Sequence, residues 1–194
     1  MAEKVKLVTP KVRASFCHLV EPRAPAEGAD PQYSMALMLS KTDPEAKKFL
    51  ISLKQKMNDI AKAKFGTVPK KLKLPVKDGD AEDRPEWEGF WIVNASNRSR
   101  PGIVDFTLTE VVDPDLLYSG AVYRASVSPW AWSHAVGGKG ISLNLDNVMW
   151  CEHGDRFDSR TKAEDDFADF AEEPSEAPDM PSDDEGDEEE MAFG

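Results

Sequence analysis

No apolar run in this 194-residue chain approaches the roughly 20 residues that a membrane-spanning helix requires. Residues 1–7 are short and mixed in charge, so no secretory signal is expected there. Cysteine is scarce, with Cys17 and Cys151 alone. These absences predict a soluble, cytosolic protein with reduced thiols, although sequence leaves a Cys17–Cys151 disulfide open. Histidine is nearly as scarce, and His18, His134 and His153 are scattered. Cys17-His18 and Cys151-Glu152-His153 contain zinc-ligand types but lack the paired C-x-x-C spacing of a zinc site, so no metal is expected. There is no G-x-x-x-x-G-K-[ST] phosphate loop and no G-x-S-x-G elbow. Gly137-Gly138-Lys139-Gly140 is too short for a phosphate loop and lies between strands. The carboxylates gather near the C-terminus, where nothing rigid would hold them for acid–base work. The expectation is a protein that is not an enzyme and uses no cofactor.

Positive charge is what the C-terminal segment lacks. Residues 161–194 hold 15 acidic residues and one lysine, whereas residues 1–160 hold 23 basic and 21 acidic residues. The first 77 residues carry 16 basic and 7 acidic residues. The overall acidity therefore belongs to a tail, and the body is locally basic. Such a tail has too few large apolar groups for a core and is expected to be disordered. The predicted domains are a body, 1–160, and an acidic tail, 161–194. Tethering keeps the tail's local concentration high, of order mM, so it would compete with a polyanion for the basic region.

The stretch Tyr118–Trp150 organises the body. Two extended runs, Gly120–Trp132 and Gly140–Trp150, meet at the glycine-rich turn, a hairpin signature. Tyr123, Ala125 and Val127 alternate onto one face, and Arg124, Ser126 and Ser128 onto the other. Trp130, Trp132 and Lys139 sit at the tip. Rings beside cations on a strand suit single-stranded nucleic acid, because bases stack on rings and cations follow phosphates.

Residues 5–20 read as a long strand, with Val12, Ala14, Phe16 and His18 on one face. Residues 21–31 read as a loop. Gln32–Ser40 is a strand with two apolar faces, hence covered on both sides. Thr42-Asp43-Pro44-Glu45 starts a helix with Thr42 as cap, and Gly66 ends it. Lys47, Lys48, Lys54, Lys56 and Lys62 fall mainly off the helix's apolar stripe and read as a solvated face. Lys62–Lys77 has six lysines and no acid. It reads as a loop or edge strand that either contacts phosphates or is simply solvated. Residues 78–88, with six carboxylates, read as a surface insertion. Phe90–Ala95 and 103–112 are further extended segments. The order fits a mainly β protein with one inserted helix, an OB-fold-like antiparallel barrel of about five strands.

The stacking candidates are Trp91, Tyr118, Trp130 and Trp132, each weighed against a place in the core. Arg98, Arg100, Arg124 and Lys139 are phosphate or cation–π candidates, and Lys70, Lys71 and Lys73 would extend the path. The reading is a sequence-tolerant single-stranded DNA-binding protein. Its rivals are an acidic-tailed replisome adaptor or chaperone, and a nuclease. Duplex DNA as a second ligand, strand annealing and a homodimer stay open.

Trp87, Gly89-Phe90-Trp91-Ile92-Val93-Asn94-Ala95-Ser96, Arg100-Pro101-Gly102, Tyr118-Ser119-Gly120-Ala121-Val122-Tyr123-Arg124-Ala125, Lys139-Gly140-Ile141 and Leu145-Asp146-Asn147-Val148 follow one another in the body. In order and spacing they resemble the phage single-stranded-DNA-binding proteins once known as a domain of unknown function. The resemblance covers about residues 5–158. It implies an OB-fold and a role in phage replication or recombination, in the cytoplasm of an infected bacterium. In that family, and in the similar podovirus-type proteins, an acidic tail ending in an aromatic residue moderates DNA binding and recruits replication proteins, whether polymerase, helicase or primase. The matching residues here are Asp187, Glu188, Glu189, Glu190 and Phe193, with Gly194 following Phe193.

Overall fold

The computed structural model describes residues 4–157 and 167–170. The chain divides into two units, residues 1–159 and 160–194. Of the second, the described part is a single 3-10 turn, Ala168–Phe170. The expected disorder of the tail and its residues Asp187, Glu188, Glu189, Glu190 and Phe193 lie outside the described residues.

The first unit is a barrel. Its long strands are β2 (Val12–Arg23), β3 (Gln32–Ser40), β6 (Phe90–Asn97), β8 (Val122–His134) and β9 (Gly138–Glu152). Strand β2 pairs with β3, β3 with β6, β6 with β9 through Ser96 and Asn144, β9 with β8, and β8 with β2 at Tyr123 and Val12. The circuit closes in the order one-two-three-five-four, which is the Greek-key order of an OB-fold, and closure removes the open sheet edges. Four short strands decorate it: β1 (Leu7–Val8) on β8, β4 (Leu72–Lys73) and β7 (Gly102–Val104) on β9, and β5 (Val76–Asp78) on β6.

The hairpin forms as its glycines dictate, with β8 and β9 joined through residues 135–137. Tyr123, Ala125 and Val127 are fully buried on its inner face. Strand β3 is covered on both sides. Met35, Leu37 and Leu39 enter the main core, while Ala36 and Met38 pack with Trp87 and Ile92 in a second cluster. Helix α1 (Pro44–Phe65) buries Ala46, Phe49, Leu53, Met57 and Ala61 and joins the main core beside β8 and β3. Its cap is Asp43, whose side chain accepts from the Glu45 amide, rather than Thr42. The cap falls one residue later because Pro44 takes the first helical position. Gly66 closes the helix at φ 79°, its amide donating to the Lys62 carbonyl. The five lysines Lys47, Lys48, Lys54, Lys56 and Lys62 are all exposed.

Four local expectations are corrected. The run 103–112 is not one strand. After β7 the chain turns on Asp105, whose carboxylate accepts from the Thr107 and Thr109 amides. The loop at 21–31 starts later, because β2 runs to Arg23. Residues 78–88 are no surface appendage. Trp87 is buried and its indole N–H donates to Ser15 Oγ at 2.9 Å. Finally, the alternation of β2 breaks. Ser15 opposes Ala36 and His18 opposes Ser34, so three steps on β2 match two on β3. This is a β-bulge. It places both Ser15 and Phe16 on the outer face, whereas strict alternation puts Phe16 on the face of Val12 and Ala14. Both cysteines are free thiols.

Candidate nucleic-acid interface

The register of β3 against β6 sets small residues side by side on one outer face. Ser34 lies opposite Ser96 and Ala36 opposite Asn94. Ser142 of β9 continues this surface. These residues floor a groove of about 590 Å³. Its sides carry Phe16, His18 and Arg23 from β2, and Lys73, Leu74 and Trp132 from the region of β4 and the hairpin. Ala24 and Pro25, from the loop between β2 and β3, complete one end. A small-residue floor leaves room for planar groups, and large aromatic side chains at its margins offer faces to stack on.

Trp132 is positioned by two features of β9. Its indole N–H donates to Ser142 Oγ at 3.0 Å. Its six-membered ring lies on Gly140, where a Cβ would come within 2.3 Å of it. Glycine is required there so that the ring can lie flat on the backbone. Trp130, two residues earlier on the same face, is 44 % exposed.

Cations surround the groove without filling it. Lys73 pairs in register with Gly140 and lines the groove with Trp132, whereas Lys139, the neighbour of Gly140 on β9, points to the opposite face with its register partner Leu72. The Lys139 ammonium lies 4.9 Å over the Phe65 ring. Lys70 and Lys71 are exposed immediately before β4. Arg98 sits in the turn after β6 and pairs with Asp30 at 2.7 Å. Arg100 is exposed beside Glu110 in a separate small cleft.

The other candidates lie elsewhere. Trp91 packs against the main core under Lys41, whose ammonium is 4.8 Å from the ring. Tyr118 is buried, its hydroxyl accepting from the Gly154 amide and donating to the Gly154 carbonyl, with the Arg156 guanidinium 4.0 Å over its ring. Arg124 donates to the Thr9 carbonyl beside β1. Trp132 and Lys73 are thus brought together at the groove, with Lys139 over Phe65 on the opposite face of the hairpin. Trp91, Tyr118, Arg100 and Arg124 are not part of that group.

Phe16, His18 and Arg23 escaped the sequence reading. His18 is held below the usual imidazole range by burial and by the nearby Arg23, so it is neutral near pH 7. Arg23 ends β2, although the proline-rich run 21–31 reads as a loop. Phe16 was hidden by the bulge. Cys17 points inward, and burial pushes its thiol up to about 12. That is the opposite of the easily ionised sulfur that a metal ligand or nucleophile needs. Among the described residues no three metal-ligating side chains converge, and no helix is long and apolar enough to cross a membrane.

A closed barrel of this strand order, with an aromatic and basic groove over its second and third strands, defines an OB-type oligomer-binding module. Comparison with known proteins makes the assignment specific. Residues 5–178 match the family model described as the ssDNA-binding protein of Enterobacter phage Enc34, and the chain belongs to that family. The structure of the Enc34 protein in complex with ssDNA superimposes with a TM-score of 0.71 at 25 % identity, covering 81 % of this chain and 97 % of that one. Protein p50 of Acyrthosiphon pisum secondary endosymbiont phage 1 is 28 % identical over 161 residues, covering 79 % of this chain and 86 % of its own. The single-stranded DNA binding protein gp2.5 of bacteriophage T7 shares the fold, with a TM-score of 0.60 at 17 % identity, covering 91 % of this chain and all of that one.

Proposed function

We propose that this protein binds single-stranded DNA along the groove over β3 and β6, as a non-catalytic participant in phage DNA replication or recombination in the infected cell's cytoplasm. The observation that carries this is the floor of Ser34, Ala36, Asn94, Ser96 and Ser142 with Trp132 held flat at its margin. Family membership and the Enc34 complex with ssDNA support it. Bases stack on Trp132 and Trp130. Lys73 and Arg23 contact phosphates at the groove, and Lys70, Lys71, Arg98 and Lys139 extend the basic path. Stacking reads no sequence, so binding tolerates any base. The acidic tail competes with DNA for the basic body, and its carboxylates and Phe193 are free for replication proteins when DNA is bound.

The test is fluorescence-anisotropy titration of labelled oligothymidine. Trp132→Ala is expected to weaken binding by about ten- to a hundredfold, because one stacked ring contributes roughly 1–3 kcal/mol. An unchanged affinity with unchanged thermal melting would remove the groove from consideration.

A further inference from the structure

Phe16 adopts φ 49°, a left-handed conformation that a bulky residue rarely takes. The bulge in β2 needs one extra residue, but nothing in that requirement calls for an aromatic. Glycine or asparagine would fit the backbone more easily. The unfavourable conformation has a clear effect: it keeps a phenyl ring on the outer face, 39 % exposed and lining the groove.

The surroundings hold that ring in place. Trp87 meets it edge-on at 5.9 Å with an interplanar angle of 78°. Trp87 is itself fixed by its bond to Ser15 Oγ on the same bulge. The segment carrying Trp87 folds tightly, since a Cβ at Gly79 would come within 2.1 Å of the Trp87 carbonyl oxygen. The Arg84 guanidinium lies 4.6 Å from the Phe16 centroid and 5.2 Å from that of Trp87. Arg84 has one weak acidic neighbour, Glu86 at 3.6 Å. The acidic stretch 78–88 thus delivers an indole buttress and a guanidinium to the margin of the groove opposite Trp132. Strands β3 and β6 lie between the two margins. The step from β2 to β9 is three strand spacings, about 14 Å along the sheet.

We infer that Phe16 and Arg84 form a second nucleotide subsite, in which a base stacks on Phe16 and Arg84 takes the adjoining phosphate. This inference rests on the groove reading above and deepens it. Strain that keeps an exposed ring beside a cation, at the edge of a binding groove, is the pattern of a ligand clamp. With rings at both margins, bases between them are confined to the polar floor, and a strand must span both to reach full affinity.

Four variants of the full-length protein test it with labelled oligothymidine: Phe16→Gly, Phe16→Tyr, Phe16→Leu and Arg84→Gln, with Trp132→Ala as reference. Phe16→Gly suits the backbone, so its melting temperature should stay close to that of the parent while affinity falls about tenfold or more. Phe16→Tyr should keep affinity within about threefold, and Phe16→Leu should not rescue it, because stacking needs a ring. Arg84→Gln should lower the slope of log affinity against log salt by about one phosphate's share, roughly 0.7 for a single strand. If Trp132→Ala weakens binding but Phe16→Gly does not, the second subsite is wrong and the groove reading stands. If Leu rescues as well as Tyr, Phe16 is a packing residue and the inference fails. If neither Phe16→Gly nor Trp132→Ala changes affinity, the groove reading falls with it.

Discussion

At the scale of single residues, the environment decides which rings are available to a ligand. Trp132 lies flat on Gly140 with its N–H satisfied by Ser142, so its outer face is free of polar demands. Tyr118 has the same aromatic character, but its hydroxyl is engaged by the Gly154 backbone and His153 Nδ1, and Arg156 covers its ring. Tyr118→Phe is therefore expected to lower the melting temperature and to leave oligothymidine affinity within about twofold. Paired titration and thermal melting check this. Cys17 gives a pH signature. Burial raises its folded pKa to about 12 from an ordinary value of 9.0. The unfolded thiol ionises first, so stability on this account is complete below about pH 9 and declines as pH rises toward 12. Urea melts across that window should show the decline, and Cys17→Ala should flatten part of it. Tyr123 and Cys151, whose hydroxyl and thiol are also pushed up by burial, would contribute in the same direction.

At the scale of elements, the hairpin and the helix were legible because their signals are local. A glycine-rich turn between alternating runs leaves few alternatives, and Phe49, Leu53 and Met57 recur at helical spacing. The β2 bulge was not legible. Alternation has a period of two, and one inserted residue leaves no mark when that residue is a phenylalanine rather than a glycine. Every outward assignment beyond Ser15 depends on it, so the β2 side of the groove was missed. Residues 78–88 misled for a different reason. Their charge described the solvent side, and the single Trp87 decided the packing. Gly140 links element to function. Gly140→Ala should displace Trp132 and weaken DNA binding nearly as much as Trp132→Ala, although residue 140 itself need touch no nucleotide. Trp fluorescence and anisotropy on the same samples would show it. At the helix start, Asp43→Ala should cost about 1 kcal/mol in a urea melt and Thr42→Ala far less, because the cap is Asp43.

At the scale of the whole molecule, the five long strands close into one circuit, with the helix inserted in sequence between the second and third of them. That order rests on contacts distant in sequence, such as Ser96 with Asn144 and Val12 with Tyr123. The fold class, an OB-fold-like barrel, could be read from the chain, whereas the strand count, nine with the four short strands, and the strand order could not. Charge is also a property of the whole. The acidic residues of 161–194 oppose a body that is slightly basic. A chain ending at Arg160 is expected to bind oligothymidine more tightly than the full chain, with the advantage shrinking as salt rises, because screening acts on tail and DNA alike.

The central claim is that the groove over β3 and β6 holds single-stranded DNA between stacked rings and cations. It is tested most directly by salt-dependent anisotropy titrations of labelled oligothymidine with the full chain and its Trp132→Ala variant. The account predicts binding with a negative salt slope of roughly 2–4, as expected for three to five phosphate contacts. It also predicts a ten- to hundredfold loss in the variant at every salt concentration, with an unchanged slope. Equal affinities for the two proteins, or no binding by either at low salt, would contradict it.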